Sequence, residues 1–176
     1  MLETHEYMEE LFPLVSDAGQ VIGKATREAC HNGSKWLHPV VHLHVFNKEG
    51  KLFLQKRSEW KDIQPGKWDT SVGGHIDFGE SVETALRREA REELGIKDFS
   101  PVFIHQYQFE SEVEKELVYS YFAVYDGTIQ LNPQEISEGR FWSLKEIEAR
   151  IGKGCFTPNF EHEFQKGIDR IFTLIS

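Results

Sequence analysis

The sequence predicts an α+β fold, an α/β/α sandwich in which a mixed β-sheet is flanked by helices and a β-hairpin is added at the N-terminal side. Three observations carry this. Runs with an alternating apolar pattern occur on both sides of one long amphipathic segment, Ser81 to Leu94, and further helical patterns with clear caps close the chain. At 176 residues with 39% hydrophobic content, the chain suits one domain, 1–176, with a sizeable core.

Leu11 to Val15 and Val21 to Lys24 read as short strands turned at Asp17-Ala18-Gly19. Thr26 to Ser34 is a polar connector with room for a turn of helix. Val40 to Phe46 alternates, placing Val41, Leu43 and Val45 on one face and His42 and His44 on the other. Asn47 to Gly50 is a turn, and Lys51 to Lys56 returns. Trp68 to Gly73 is a short strand entering the pair Gly73-Gly74. Ser81 to Leu94 is a helix of ~21 Å at ~1.5 Å per residue, capped by Ser81 and stopped by Gly95. Pro101 to Phe109 and Leu117 to Val124 are strands around a charged hairpin end, Glu110 to Glu116. Gly139 to Ser143 is a last strand, and Ser143 with Glu146 forms a capping box opening a helix to Ile151. Thr157-Pro158 begins the final helix, through about Leu174, with Phe160, Phe164, Ile168, Ile171 and Phe172 on its apolar side.

A formal charge of −9 argues against a nucleic-acid duplex as partner, because duplex binding needs a basic face to release counterions. An anionic small substrate would then need a bridging cation. Cys30 and Cys155 stand far apart with no CxxC, so neither a zinc site nor a disulfide framework is indicated. The N-terminus is acidic, and no run approaches the ~20 apolar residues that cross a bilayer. The expectation is a cytoplasmic protein, not exported and without a membrane partner; a homodimer is compatible with it.

The central helix holds the chemistry. Val82, Ala85, Leu86, Ala90 and Leu94 make its apolar stripe, and Glu89 and Glu93 lie one turn apart along the stripe's edge, with Glu92 beside them. Like charges at this spacing cost roughly 0.2–0.5 kcal/mol on an exposed helix, and more as water is removed. A divalent cation would remove that conflict; otherwise this is a solvated acidic face offset by Arg88 and Arg91. The carboxylates should rim a cleft. His38, His42 and His44 share parity, and the plain reading of His42 and His44 is a hydrogen-bonded or solvent-facing imidazole.

The string Gly74, Glu80, Arg88, Glu89, Ala90, Glu92, Glu93, Gly95, Ile96 fits G-x5-E-x7-R-E-U-x-E-E-x-G-U, with Ala90 small where a bulky aliphatic U is usual. That is the Nudix box, at 74–96, and the sequence resembles the Nudix superfamily. The resemblance implies a mixed sheet between helices and hydrolysis of a diphosphate linked to a group X, with Mg2+ or Mn2+ as cofactor. Magnesium's preference for oxygen ligands agrees, and such an ion makes a water nucleophilic near neutral pH. By matching positions Glu89 and Glu93 are the main metal ligands, Glu92 a ligand or water-activating partner, and Glu80 an outer ligand or helix-positioning contact. Arg88 orients a glutamate through its planar fork. Glu138 is taken as the catalytic base, with Glu135, Glu114 and Glu116 competing; Lys24, Lys56, Arg57 and Gly74 are taken to bind substrate.

WLHPVVHLHVFNKEGKLFLQKRS followed by WDTSVGGHIDFGES is similar to the type I isopentenyl-diphosphate isomerases on the same scaffold. That branch implies metal ligation by His38, His75 and a glutamate near Glu114 or Glu116, and a catalytic cysteine where this chain has Gly73. Without the thiol, isomerisation by that route should fail. Three readings follow: a diphosphohydrolase, an isomerase-type enzyme, and a silent ligand-sensing domain. The aromatic side chains Trp36, Trp60, Phe109 and Tyr119 are candidate specificity walls, although such residues are more often core.

Overall fold

The structure is a computed structural model that describes residues 9–61 and 63–175; the acidic start of the chain up to residue 8 and the side chain of Phe172, placed above on the last helix's apolar side, lie outside the described residues. An antiparallel hairpin comes first, β1 (Leu11–Val15) with β2 (Val21–Thr26), turned through Gly19 at φ 83°. Thr26 ends β2 and caps the short helix α1 (Arg27–Cys30), its hydroxyl accepting from the Ala29 N–H at 3.1 Å. β3 (Leu37–Phe46) and β4 (Leu52–Arg57) follow, separated by the Asn47–Gly50 turn.

The single strand expected over Trp68 to Gly73 is two strands, β5 (Trp68–Asp69) and β6 (Val72–His75). β5 pairs with β4 through Lys56↔Trp68, whereas β6 pairs with β3 from Leu43↔Val72 to Val40↔His75. Between them Ser71 is buried, and its hydroxyl accepts from the Val45 N–H at 2.9 Å while donating to the Phe53 carbonyl. One side chain thus bridges β3 and β4 where their backbones have separated, for those strands pair directly only at Phe46↔Leu52. The sheet opens there into a V.

Helix α2 (Val82–Leu94) begins at Ser81, whose hydroxyl accepts from the Thr84 N–H at 3.2 Å, and ends at Gly95 with φ 66°. β7 (Val102–Glu110) and β8 (Lys115–Val124) run further into the charged hairpin than expected, leaving a tight turn at residues 111–114. Glu116 is therefore a strand residue, and buried. β9 (Ile136–Trp142) pairs with β4. The capping box at Ser143 and Glu146 forms as expected, but its helix α3 (Leu144–Glu148) stops short of Ile151 in turns that hold Gly152 and Gly154 at φ 75° and 76°. α4 (Pro158–Ile175) closes the chain.

β3 and β8 are parallel and every other ladder is antiparallel, so the sheet is mixed. On one face Val41, Leu43, Val45 and Val72 pack on Ala85, Leu86, Ala90 and Leu94 of α2. On the other Phe46, Leu52, Leu54 and Trp142 pack on Ile147 of α3 and on Phe160, Phe164 and Ile171 of α4. Each such Val, Leu, Ile or Phe gains ~1.5–3 kcal/mol on burial, which fixes both helices against the sheet. This is the α/β/α sandwich expected from the sequence. Among the described residues no helix is long and apolar enough to cross a membrane.

Candidate active site

One wall of the V is α2. Arg88 organises it: Nε and Nη2 donate to the two Glu80 oxygens at 2.8 and 2.9 Å, and Nη1 donates to Glu89 at 2.8 Å and Glu92 at 3.3 Å. Nη2 also reaches the His75 carbonyl at 3.0 Å, tying helix to sheet. Both Glu80 oxygens are engaged, and the Arg88 bonds hold its carboxyl below the usual range. Of the two roles open to Glu80, this geometry is that of a positioning contact. Glu89 is different, because burial outweighs Arg88 and pushes its pKa up to about 7. Burial and then Glu89 itself push Glu93 up to about 8, although Glu93 accepts from Gln55 at 2.7 Å and from the Gly73 N–H at 3.3 Å. The conflict expected at this spacing is present. Gly74 lies against it, since a Cβ there would fall 2.1 Å from the Glu89 carboxyl carbon.

The facing wall is built by four segments. His31 follows α1, His38 lies on β3, His75 ends β6 and Glu114 closes the β7–β8 turn; one ligand atom from each lies within 4.8 Å of all the others. His31 Nε2 is 3.1 Å from His75 Nε2 and 2.9 Å from Glu114 Oε2, and His38 Nε2 is 3.8 Å from the same oxygen. His38 Nδ1 donates to the Trp36 carbonyl at 2.9 Å, which leaves the Nε2 lone pair facing the group. His38 Nε2 is buried without a hydrogen-bond partner, and the buried Glu114 Oε2 has only His31 Nε2 within hydrogen-bond distance among the described residues. Phe12 of β1 stacks on His75 at 4.4 Å and on His38 at 5.8 Å, so the N-terminal hairpin is this site's floor. Burial lowers the pKa of His38 and holds His75 well below the usual imidazole range, and both rings are neutral as ligation requires. Glu116 stands alongside, 3.9 Å from His75, its pKa pushed up to about 8 by burial and then by Glu114.

An orphaned buried ligand atom is costly unless something joins it, and three imidazoles with a carboxylate suit a divalent first-row ion. The α2 carboxylates are an oxygen set and suit magnesium. The residues fit a cation on both walls.

Both walls line one cleft of about 510 Å3, and Arg57 and Gly74 line it as expected. Other expectations are displaced. Lys24 lies over the Phe78 ring at 5.2 Å and Lys56 sits on β4 opposite Glu138, neither lining the cleft. Glu138 is exposed on β9 outside it, while Glu135 lines it, paired with Lys61. Glu135 lies in the turn before β9 and Glu138 on the β4–β9 ladder, a difference that spacing alone does not reveal. Phe109 lines the cleft; Trp36 and Trp60 are exposed, and Tyr119 packs on the α2 core. His31 and Gln55 are site residues that sequence reasoning missed. His31 lay in a connector with no periodicity to mark it, although Thr26 and the short apolar pair Ala29-Cys30 signalled the helix that delivers it.

A mixed sheet split beside an acidic helix, with that helix's glutamates gathered on one arginine, defines the Nudix hydrolase scaffold. The NUDIX domain family matches residues 36–160, and the chain belongs to it. It is 33% identical over 150 residues to an uncharacterized Nudix hydrolase of Yersinia pestis, covering 85% of this chain and 81% of the relative. It is 31% identical over 163 residues to an isopentenyl-diphosphate Delta-isomerase of Pectobacterium atrosepticum, covering 90% and 89%. Among solved structures it is similar to a Deinococcus radiodurans protein with TM-score 0.78 and 28% identity, over 90% of this chain and 99% of that one.

Proposed function

We propose that the chain is a divalent-metal-dependent hydrolase of an organic diphosphate, a nucleoside diphosphate linked to X or a related compound. The observation that supports this best is the pair Glu89 and Glu93, one turn apart on α2 and pushed up to about 7 and 8 chiefly by burial, lining one cleft with His31, His75 and Glu114. Glu89 and Glu93 would hold a cation on one wall, and His31, His38, His75 and Glu114 on the other. A bound cation supplies Lewis acidity and screens the phosphate charge. The chain's own residues do the rest. Arg88 fixes the carboxylates, and Arg57 brings positive charge to the substrate oxygens. Glu92 turns a half-exposed carboxylate to the cleft and takes the proton of the attacking water as the phosphoanhydride P–O bond breaks. With Glu138 outside the cleft, Glu116 and Glu135 are the competitors for that proton.

The test is product release from nucleoside diphosphate sugars, dinucleoside polyphosphates, coenzyme A and isoprenoid diphosphates with Mg2+ or Mn2+. Glu93→Gln keeps shape and removes one charge, and should lower the rate by about 10²–10⁴-fold with the fold intact. An unchanged rate overturns the assignment. A second reading, isomerase-type chemistry, is favoured by the histidine site shared in resemblance with that branch, and opposed by Gly73 in place of its thiol. Deuterium incorporation into isopentenyl diphosphate separates the two.

A further inference from the structure

His42 stands midway along β3, between the three-histidine site and the core under α4, and the reading above leaves it unused. Its two ring nitrogens have different surroundings. Nδ1 lies 2.6 Å from Glu163 Oε2. The opposite edge lies over Gly73, where a built Cβ would come within 3.5 Å of Cδ2 and 3.7 Å of Nε2, and the ring lines the cleft. Among the described residues Nε2 has no hydrogen-bond partner, and it is not among the atoms sealed from solvent.

Glu163 of α4 explains the orientation. It is 1% exposed, and its Oε1 accepts from His44 Nε2 at 2.8 Å and from the Ser120 hydroxyl, while its Oε2 accepts from His42 and lies 2.9 Å from the Tyr107 hydroxyl, which Asn159 shares. A carboxylate has about four acceptor sites. Donors fill them, so the group is held as an anion and the His42 ring cannot turn without breaking a buried bond. Burial opposes a charge on His42, yet the Glu163 carboxylate outweighs it and the pKa stands at about 9. Nε2 therefore carries a hydrogen at neutral pH. Glu116 and Asp69 also face the ring, Asp69 being held by Thr157 at 2.9 Å and Arg57 at 3.4 Å. These carboxylates repel a bare anion, so the ligand that suits this donor is a phosphate accompanied by a cation.

We propose that His42 is a substrate-binding residue whose Nε2–H donates to a phosphate oxygen of the diphosphate in the cleft, with Glu163 as its positioning residue. The proposal rests on the hydrolase reading for its substrate class and extends it to the sheet floor beyond both metal-ligand walls.

The test uses the full chain with 15N-labelled histidine and methylenediphosphonate with magnesium, a diphosphate that cannot be hydrolysed at its bridge. Binding is followed independently by 31P resonance. The His42 Nε2 resonance should shift and saturate with the 31P signal, while those of His44 stay in place. His42→Gln should raise the dissociation constant about 10- to 100-fold, the usual weight of a hydrogen bond to a charged group. Glu163→Gln, which leaves His42 in place but unanchored, should raise it less and move the His42 Nδ1 resonance before any ligand is added. No saturable binding, an unmoved Nε2, or a folded His42→Gln protein that binds like wild type overturns the proposal; should that variant fail to fold, the wild-type resonances decide. A protein that hydrolyses diphosphates with Nε2 unmoved fails only this proposal, and one that binds through His42 without hydrolysis fails only the hydrolase reading.

Discussion

His38 and His44 lie on the same strand and the same face, both are buried, and they have opposite fates. His44 shares with His42 one carboxylate whose acceptor sites are filled. His38 has a ring nitrogen in the interior with no partner, 3.8 Å from a carboxylate oxygen that His31 approaches at 2.9 Å. Burial does not distinguish a structural histidine from a ligand; completeness of bonding does. A saturated cluster holds α4 on the sheet, and an unsaturated one leaves a ligand atom that a cation would satisfy, at some cost to the fold without it.

The largest effect expected of this contrast is on stability. Glu163→Ala strands two imidazoles and the Ser120 hydroxyl in the interior and should cost ~3–5 kcal/mol, lowering Tm by roughly 6–20 °C. His38→Ala removes the unpartnered Nε2 together with the Nδ1 bond to the Trp36 carbonyl and the Phe12 stack, leaves no charge stranded, and should cost the metal-free protein about 2–3 kcal/mol, less than Glu163→Ala. Calorimetry of both variants in chelator checks this, and equal losses would break the comparison.

Adding metal should reverse the ranking. At about 100 times its dissociation constant a ligand of the native state adds ~2.7 kcal/mol, or roughly 5–10 °C in Tm for a chain of this size. Manganese should do this for wild type and for Glu163→Gln, each against its own metal-free baseline, while His38→Ala should lose most of the increment. A full increment in His38→Ala would remove that residue from the ligand set.

A smaller effect, with opposite signs in the two clusters, is expected of pH. His38 and His75 have lowered pKa values, so below the unfolded value of about 6.5 the unfolded chain binds more protons and their contribution is lost as pH falls. His42 is raised to about 9, so its contribution is full below that same unfolded value and is lost as pH rises through about 9. Glu89 and Glu93, raised to about 7 and 8, act in the same direction as His42. Metal-free stability should therefore decline from about pH 4.5 to pH 7–8 through Glu89 and Glu93 and on to about pH 9 through His42, by ~1–2 kcal/mol or more per group, and Glu93→Gln should flatten the part of the slope below pH 8. Urea midpoints across the range measure it, and a slope unchanged by Glu93→Gln would mean that Glu93 is already ionised without metal.

The acidic helix was legible because charge spacing and both caps are local: Ser81, Gly95, and the Ser143–Glu146 box formed where the residues place them. Facing of β3 was legible for the same reason. The split of β5 from β6 was not, because the two halves continue one another in sequence and differ only in which strand each finds. Nor was Glu163, which on an otherwise amphipathic α4 resembles any solvated acid until His42 and His44 arrive from far along the chain. Lys24, Lys56 and Glu138 show the converse limit. They are near site residues in sequence, but the ladders turn their side chains elsewhere.

The smallest change is expected of Gly73→Cys, which restores a thiol at the position where the isomerase branch carries one. Gly73 is not among the glycines with positive φ, so the left-handed strain that a side chain would bring at Gly95 does not arise. A Cβ there would make ordinary contacts with the His42 edge, and stability should stay within about 1 kcal/mol of wild type. Isomerisation asks for more than the thiol. It needs a second proton donor across the allylic carbon and both groups within ~0.5 Å and ~10–20° of productive geometry. Here the sulfur would meet a ring whose other nitrogen is anchored on Glu163, in a cleft lined by carboxylates and open to water. Deuterium incorporation into isopentenyl diphosphate should be absent in wild type and in Gly73→Cys alike. Exchange in the variant alone would mean that the saturated cluster already holds the second proton donor, and would turn His42 from a binding residue into a catalytic one.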